Sequence, residues 1–271
     1  MRLLPSGALP PKGAVRLAGD DLLKMPYRSY YEQVRGRKIA MIVQDARAAL
    51  NPVFPVGRQL HDVYRRVHGS DNGKSKRAIQ KMISRVMLPN PNRIARSYPH
   101  ELSGGMCQRV VVAMALIASP LVIISDEPTT GLDTTIQVQI LALIKEIVEQ
   151  HEMTQIFISH DVAAVANMCE QVAVMYCGRI VEIAETAEIL DNPRHPYTRG
   201  LVGCFRAPDS ERMPFIPGFA ANLHALPKGC AFVERCSEAG QVCHEIDPQL
   251  LAHGRAWVAC HMVGKEEDAQ E

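Results

Sequence analysis

Short apolar runs alternate along this chain with longer stretches of helical periodicity, and this alternation limits the fold more than any other feature. The stretch 136–150, for example, repeats apolar residues at the spacing of one helix face and lies between two apolar runs. Strands separated by such helices pair in parallel and are covered by helices on both faces. The sequence therefore predicts an α/β fold around a largely parallel sheet, with strands at 39–43, 121–125, 156–159, 172–176 and 179–183 and helices at 103–119, 136–150 and 162–170.

The composition argues against several classes of protein. Hydrophobic residues make up 47% of the 271 residues, which is too many for a disordered chain. The 30 basic and 29 acidic residues nearly cancel, which argues against a dedicated nucleic-acid-binding protein. No signal-peptide pattern is present, and the longest apolar stretch, 110–124, is interrupted by Ser119 and Pro120. We expect a soluble, cytoplasmic chain.

The segment 58–96 is strongly basic, with ten lysine and arginine residues against Asp62 and Asp71. Apolar residues such as Ile79 and Ile83 recur within it on one helix face. The charges are therefore interpreted as the solvated side of an amphipathic helix. A nucleic-acid-binding patch is the less favoured alternative, because aromatic residues do not alternate with the charges.

Two predicted strands end in polar residues whose side chains can bind a metal ion or a phosphate group. The strand at 121–125 leads into Asp126 and Glu127, which suit Mg²⁺ binding and the positioning of an attacking water. Two adjacent acids are more often the acidic first turn of a helix. The strand at 156–159 leads to His160, which at the same sheet edge can bond a phosphate or hold Glu127. An ordinary structural histidine is the alternative.

A third cluster, Ser103, Gly104 and Gly105, stands before a helical stretch. Glycine has no Cβ atom, so its backbone N–H group is open to a ligand. Such N–H groups at the positive end of a helix form an anion-binding site. The alternative is an ordinary serine N-cap with a flexible turn.

Five features in chain order resemble the motifs of the ATP-binding cassette (ABC) ATPases over residues 15–200. They are Gln44 after a strand, LSGG at 102–105, DE at 126–127, GLD at 131–133 and His160 after a strand. The resemblance implies the ABC-type nucleotide-binding fold, with a parallel-rich sheet and a helical subdomain. It also implies ATP and Mg²⁺ as ligands.

The resemblance further implies a role for each of these residues. Gln44 would contact the metal or the water and sense the membrane subunit, and Asp126 would bind Mg²⁺. Glu127 would be the catalytic base and His160 the switch histidine, while Asp133 would lie at a dimer interface. The signature segment, which reaches the ATP held by the opposite subunit, would comprise Ser103, Gly104, Gly105 and Gln108.

The phosphate-binding sequence G-x-x-x-x-G-K-[ST], which this family carries before the glutamine, is absent upstream of Gln44. The nearest substitute, 69–75, has one residue too few between its glycines and follows no predicted strand, so it is interpreted as a surface turn. We expect an ABC subunit that lacks the N-terminal part with this loop. Such a subunit would bind ATP poorly at its own site and would still complete a partner's site.

The C-terminal third carries a finer resemblance. NPRHPYTRGL at 192–201, IPG at 216–218 and the cysteine-containing segments that follow resemble the C-terminal extension of ATPase subunits of oligopeptide/dipeptide importers, a family that also contains nickel importers. QDARAALNP at 44–52 resembles the same family.

Four of the eight cysteines share a short segment rich in proline and glycine: Cys230, Cys236, Cys243 and Cys260. A disulfide scaffold is not expected in a chain this long without a secretory signal. Four thiolates suit a [4Fe–4S] cluster or a Zn²⁺ ion, and the lack of close C-x₂₋₄-C pairs favours the iron–sulfur cluster. His244 and His261 are additional nitrogen ligands, so Zn²⁺ is an alternative to the cluster. A further alternative is four reduced, buried cysteines without a metal.

We therefore expect an incomplete ABC ATPase domain at 1–203 with its helical subdomain at about 55–118, a Cys-rich extension at 204–263 and a disordered tail at 264–271. The expected function is the ATP-binding and hydrolysing subunit of a bacterial peptide importer, peripheral on the cytoplasmic face of the inner membrane. The expected partners are a second ATPase, two integral-membrane permeases and a periplasmic or extracellular solute-binding protein, without nucleic acid. The alternatives are a non-catalytic or regulatory remnant, which contributes only its signature segment and metal-binding extension, and a non-transport ABC protein.

Overall fold

The computed structural model describes residues 1–4, 7–69, 73–206, 215–219 and 221–263. The chain divides into two compact units, Met1–His160 and Asp161–Glu271. The tail at 264–271, which was expected to be disordered, lies outside the described residues. Within the described ranges, no helix is both long enough and apolar enough to cross a membrane.

The first unit alternates strands and helices as the sequence predicts. Its elements are β1 (Arg16–Leu17), β2 (Asp20–Asp21), α1 (Tyr27–Gln33), β3 (Ile39–Ile42), α2 (Ala46–Ala49), α3 (Val56–His68), α4 (Lys74–Arg85), α5 (Pro91–Arg96), α6 (Gly104–Leu116), β4 (Val122–Asp126), α7 (Thr134–Gln150) and β5 (Thr154–Ile158). The predicted strands and helices of this region are confirmed, with small differences at their ends. Helices α3 to α6 occupy the region predicted as the helical subdomain.

Strands β3, β4 and β5 form a parallel sheet in that order. Ile42 of β3 and Ile123 of β4 are almost completely buried, as expected for a parallel sheet whose strands are covered by helices. Because the three strands run in the same direction, their carboxyl ends meet at one edge of the sheet. The predicted parallel sheet is confirmed for these strands.

The second unit is built on an antiparallel sheet in the order β6–β7–β9–β8. Its elements are α8 (Val162–Met168), β6 (Gln171–Tyr176), β7 (Arg179–Glu185), α9 (Thr186–Asp191), α10 (Pro196–Arg206), α11 (Gln241–Glu245), β8 (Leu251–His253) and β9 (Ala256–Val258). The strands predicted near 172–176 and 179–183 are present, and they pair antiparallel, outside the parallel sheet. Cys177 and Gly178 join β6 to β7 with positive φ angles of 48° and 79°, and a two-residue turn of this kind connects antiparallel strands.

Pairing of β7 with β9 ties the segment before residue 203 to the C-terminal part of the chain. The compact units consequently divide between His160 and Asp161, earlier than the expected domain boundary at 203. That boundary stays a prediction, as does the separate C-terminal extension.

A buried carboxylate fixes the HPYTRGL segment in the second unit. Glu182 of β7 is completely buried, and its carboxylate accepts hydrogen bonds from the backbone N–H groups of Arg194 (2.8 Å) and His195 (2.9 Å). Burial, aided by the charge of Arg199, lowers the pKa of His195 to about 4, so the imidazole is neutral and its Nδ1 accepts from the Tyr197 N–H at 3.0 Å. This segment therefore positions the start of α10.

Gly105→Ala is expected to destabilise the first unit. A Cβ on Gly105 would lie 2.7 Å from Cγ2 of Ile136, whose branched side chain has little rotamer freedom in α7. We expect the free energy of unfolding in urea to fall by about 1–3 kcal/mol. Gly104→Ala is the matched control, because its Cβ would lie at an ordinary 3.5 Å from Cδ2 of Leu132. An equal loss in both variants would contradict the packing argument.

Candidate functional site

The carboxyl edge of the parallel sheet brings together three residues that are far apart in the sequence. Nε2 of Gln44, which follows β3, donates to Oε2 of Glu127 over 2.8 Å. Nδ1 of His160, which follows β5, lies 3.1 Å from Oε1 of the same carboxylate. The structure therefore places three of the predicted site residues in one hydrogen-bonded group centred on Glu127.

The backbone of Glu127 is held in an uncommon conformation. Its φ angle is 44°, in the left-handed region that non-glycine residues seldom adopt. The Glu127 N–H donates to the carbonyl of Ile158 at the end of β5 (2.9 Å), and the Glu127 carbonyl accepts from the Thr130 N–H (3.2 Å). Backbone strain of this kind persists where the surroundings enforce it, and it is concentrated at functional sites.

Thr130 is a member of this group that the sequence analysis missed. Its Oγ1 donates to Oε2 of Glu127 over 2.8 Å, so this oxygen accepts from both Thr130 and Gln44. The hydrogen bonds from Thr130 and then from His160 lower the pKa of Glu127, partly against the effect of desolvation. A carboxylate with a lowered pKa is ionised at neutral pH, and it is better suited to positioning a water than to taking its proton early.

Asp126 is the last residue of β4 and is half-buried beside Glu127. Carboxylate and amide oxygens, as Asp126, Glu127 and Gln44 provide, are ligands that Mg²⁺ accepts. Among the described residues no group of three or more His, Cys, Asp or Glu side chains is arranged to hold a metal ion. Mg²⁺ commonly binds through one or two carboxylates together with phosphate oxygens, so the donor set fits a metal that binds with a phosphate ligand.

The signature segment lies at the start of α6. Ser103 is exposed and is the N-cap of this 13-residue helix, where its Oγ accepts from the Met106 N–H at 3.3 Å. Gly105 packs against Ile136 of α7, so its missing Cβ has a packing reason in addition to any access for an anion. The serine N-cap and an exposed, positively polarised helix end are thus both present.

The other two predicted site residues of the first unit are placed differently. Gln108 is only 3% exposed, and its Nε2 has no hydrogen-bond partner among the described residues. Asp133 is exposed and is the N-cap of α7, where it accepts from the Ile136 N–H at 3.0 Å. The roles expected for Gln108 in binding a partner's ATP and for Asp133 in a dimer interface stay predictions.

The four C-terminal cysteines lie near one another in the second unit. The Cys230 N–H donates to the Cys243 carbonyl over 2.8 Å, and Cys230, Cys236 and Cys260 pack against one apolar cluster. Burial raises the pKa values of Cys230, Cys236 and Cys260, and the neighbouring thiols raise them further. Nevertheless, they do not form a group arranged to hold a metal in the described part of the chain, so this geometry gives no support to a [4Fe–4S] cluster or to zinc.

Comparison with protein families gives two matches. The family described as "ABC transporter" matches residues 1–130, and "Oligopeptide/dipeptide transporter, C-terminal region" matches residues 181–243. The probable D,D-dipeptide transport ATP-binding protein DdpD of Escherichia coli K12 is 40% identical to this chain, over 94% of this chain and 78% of its own length. The oligopeptide transport ATP-binding protein OppD of Bacillus subtilis 168 is 42% identical to this chain, over 93% of this chain and 71% of its own length.

Among solved structures, the chain is similar to the dimeric ATP-binding cassette MJ0796 in a post-hydrolysis state with ADP and phosphate. The TM-score is 0.57 and the identity 22%, over 65% of this chain and 74% of that one. A second dimeric structure of MJ0796 gives a TM-score of 0.55. These similarities concern the fold, and they confirm the expected nucleotide-binding cassette architecture.

Thr130→Val is expected to raise the pKa of Glu127, because it removes one of the two hydrogen bonds that lower it. Carbon NMR of the labelled carboxyl group during a pH titration measures this directly. The lowered pKa stabilises the folded state above the unfolded-state pKa, and this contribution is lost as pH falls through the folded-state value. The variant should therefore lose less stability on acidification.

Thr135→Val, at an exposed position in the first turn of α7, is the matched control and should leave the Glu127 titration unchanged. A Thr130→Val variant that titrates like the original chain would show that this hydrogen bond does not set the pKa of Glu127.

Proposed function

Because this chain belongs to the ABC ATPases, and within them to the ATPase subunits of oligopeptide and dipeptide importers, we propose that it uses ATP to energise peptide import. The observation that carries the proposal is the convergence of Gln44, Thr130 and His160 on the carboxylate of Glu127 at the carboxyl edge of the sheet. Ligands bind at this edge in parallel α/β folds.

In this proposal the polar groups at the sheet edge act on the metal, the water and the phosphate. Asp126 and Gln44 supply oxygen ligands to the Mg²⁺ that accompanies ATP, and the metal neutralises charge on the terminal phosphates. Glu127 orients the attacking water, and His160 hydrogen-bonds the terminal phosphate or holds Glu127. Oε2 of Glu127 already accepts from Gln44 and Thr130, whereas within the described part of the chain Oε1 accepts from His160 alone and has an acceptor position left for the water.

The proposal includes a second ATPase subunit as partner. Ser103 is exposed at the positively polarised end of α6, where an anion held by another chain is within its reach. Asp133 is exposed at the start of α7 and is proposed to lie in the interface between the two ATPases. Two membrane permeases and a solute-binding protein complete the importer, with this chain peripheral on the cytoplasmic face of the inner membrane.

We further propose that this chain binds ATP weakly on its own. The sequence G-x-x-x-x-G-K-[ST], whose amides and lysine hold the phosphates in this family, does not occur in the 271 residues. Gly69 caps the end of α3 and Gly73 caps the start of α4, so the nearest substitute connects two helices, although residues 70–72 lie outside the described residues. A phosphate-binding loop instead follows a β-strand and precedes a helix.

An ATPase subunit of the same family that carries the phosphate-binding sequence provides the test. We expect the purified chain to retain little labelled ATP by itself and to accelerate hydrolysis by this second subunit. Ser103→Asn should reduce the acceleration by about tenfold or more, because it replaces the proposed phosphate-binding hydroxyl. Asparagine is also a good N-cap, so the stability of α6 should be preserved. Thr135→Ala is the surface control, and equal rates in all three forms would contradict the proposal.

Glu127→Gln in the same mixture distinguishes a chain that hydrolyses ATP at its own site from a chain that only completes the partner's site. If only the signature segment of this chain is active, Glu127→Gln leaves the stimulated rate within about twofold, since the partner's own carboxylate acts at the shared site. A large loss of rate would show that this chain hydrolyses ATP at its own site. The alternative of a non-catalytic subunit would then be wrong.

A [4Fe–4S] cluster bound by Cys230, Cys236, Cys243 and Cys260 stays part of the proposal, with Zn²⁺ as the alternative. The occurrence of four cysteines within residues 230–260 is the basis for it. We expect anaerobically purified protein to absorb in the visible range and to contain iron and sulfide, and Cys243→Ser to lose both. Cys107→Ser, in the first unit, is the control. Zinc without iron would favour the alternative, and protein free of both metals would rule out a metal centre.

A further inference from the structure

A groove of about 620 Å³ lies between α3, α4 and α5, away from the residues grouped around Glu127. Each of the three helices presents at least one exposed cation to it. These cations are Arg58, Arg65, Lys76 and Arg96. The basic residues that the sequence analysis assigned to a solvated helix face therefore include four that converge on one cavity.

The positive charge of this groove is poorly neutralised. Asp62 is the one carboxylate among the described residues that line it. No described carboxylate lies within ion-pair distance of Arg58, Arg65, Lys76 or Arg96, whereas elsewhere Arg199 pairs with Glu238 at 2.6 Å. Arg58 lies 4.3 Å over the ring of Phe54, a contact that holds the guanidinium without cancelling its charge. Bringing like charges together in this way costs free energy unless an anion binds among them.

The walls of the groove are connected to one another. Nδ1 of His61 on α3 lies 3.0 Å from Oγ of Ser75 on α4, and Nε2 of Gln80 on α4 donates to Oδ1 of Asn92 on α5 at 2.6 Å. These contacts connect α3 to α4 and α4 to α5 around the groove, and a groove whose walls are held in this way costs less entropy on binding.

Helices α3 and α5 also approach each other closely. A Cβ on Gly57 would lie 2.6 Å from the carbonyl oxygen of Ala95, so only glycine permits this spacing. The distance between the cations of α3 and those of α5 is therefore set by backbone packing rather than by mobile loops.

We propose that this groove binds an anion that carries several phosphate groups. Arginine, which supplies three of the four cations, binds phosphate through two parallel N–H groups. The volume lies within the range of small-molecule sites, and a single phosphate would leave part of the net positive charge of the groove unbalanced. The phosphate groups belong either to the headgroups of anionic phospholipids at a membrane surface or to a soluble polyphosphate. This site is independent of the ATPase function, because it includes none of the residues proposed for it.

Vesicle flotation and calorimetry test the two sources with the full-length chain. The chain should float with vesicles of phosphatidylglycerol and phosphatidylcholine but not with phosphatidylcholine alone, or it should bind inorganic tripolyphosphate in the calorimeter. Substitution of all four cations by glutamine (R58Q, R65Q, K76Q, R96Q) should weaken whichever binding is seen by about a hundredfold or more. Binding should also fall with rising salt, because the cations are exposed.

Four exposed cations on α4 and α5 that do not line the groove provide a control of equal charge: K74Q, R77Q, K81Q and R93Q. This control should bind within about twofold of the original chain if the groove, and not net charge, holds the ligand. Equal weakening in both variants, or no binding of either probe, would overturn the proposal. Binding of a DNA oligonucleotide as tightly as the phosphate probes would also overturn it, since it would indicate a non-specific polyanion surface.

Thermal unfolding shows whether the fourfold variant is folded. If it melts well below the control, the pair K76Q and R96Q replaces it, with K81Q and R93Q as the matched pair. Retention of full binding by K76Q and R96Q would then contradict the proposed site.

Discussion

Parallel pairing of β3, β4 and β5 is the constraint on which the site depends. Each strand contributes one chemically useful segment where it ends, and parallel order places those ends at the same edge of the sheet. Antiparallel pairing would send neighbouring ends to opposite edges and separate Gln44 from Glu127 and His160. The hydrogen bonds among these side chains are thus a consequence of topology rather than of closeness in sequence.

The carboxylate of Glu127 is restrained in two ways at once. Its backbone is held in the left-handed region by bonds to Ile158 and Thr130, and its side chain is held by Gln44, Thr130 and His160. Such restraint keeps the carboxylate ionised and in place, and it fills both acceptor positions on Oε2. A change in the position of Gln44 would free one of them, and so the structure links the segment after β3 to the hydrogen bonds that Glu127 can offer a water.

The grouping of Gln44, Glu127 and His160 could be predicted because each follows an apolar run, and such runs locate the ends of strands well. Thr130 was not predicted, since a hydroxyl in a turn has no periodic pattern and its bond to Glu127 depends on the local backbone. Strands β6 and β7 lie where the apolar runs predict them, whereas the pairing of β7 with β9 joins distant segments and is contained in no local pattern. The convergence of basic side chains between α3, α4 and α5 is a property of helix packing, which no single helix pattern contains.

Electron microscopy of the chain in complex with a second ATPase, the permeases and a non-hydrolysable ATP analogue would show whether Ser103 and the group around Glu127 act on ATP. We expect the terminal phosphate of an analogue held by the partner to lie within hydrogen-bonding distance of Ser103, with Gln44, Glu127 and His160 still grouped at the sheet edge. A complex in which Ser103 faces away from the nucleotide, or in which these three side chains lie apart, would contradict it.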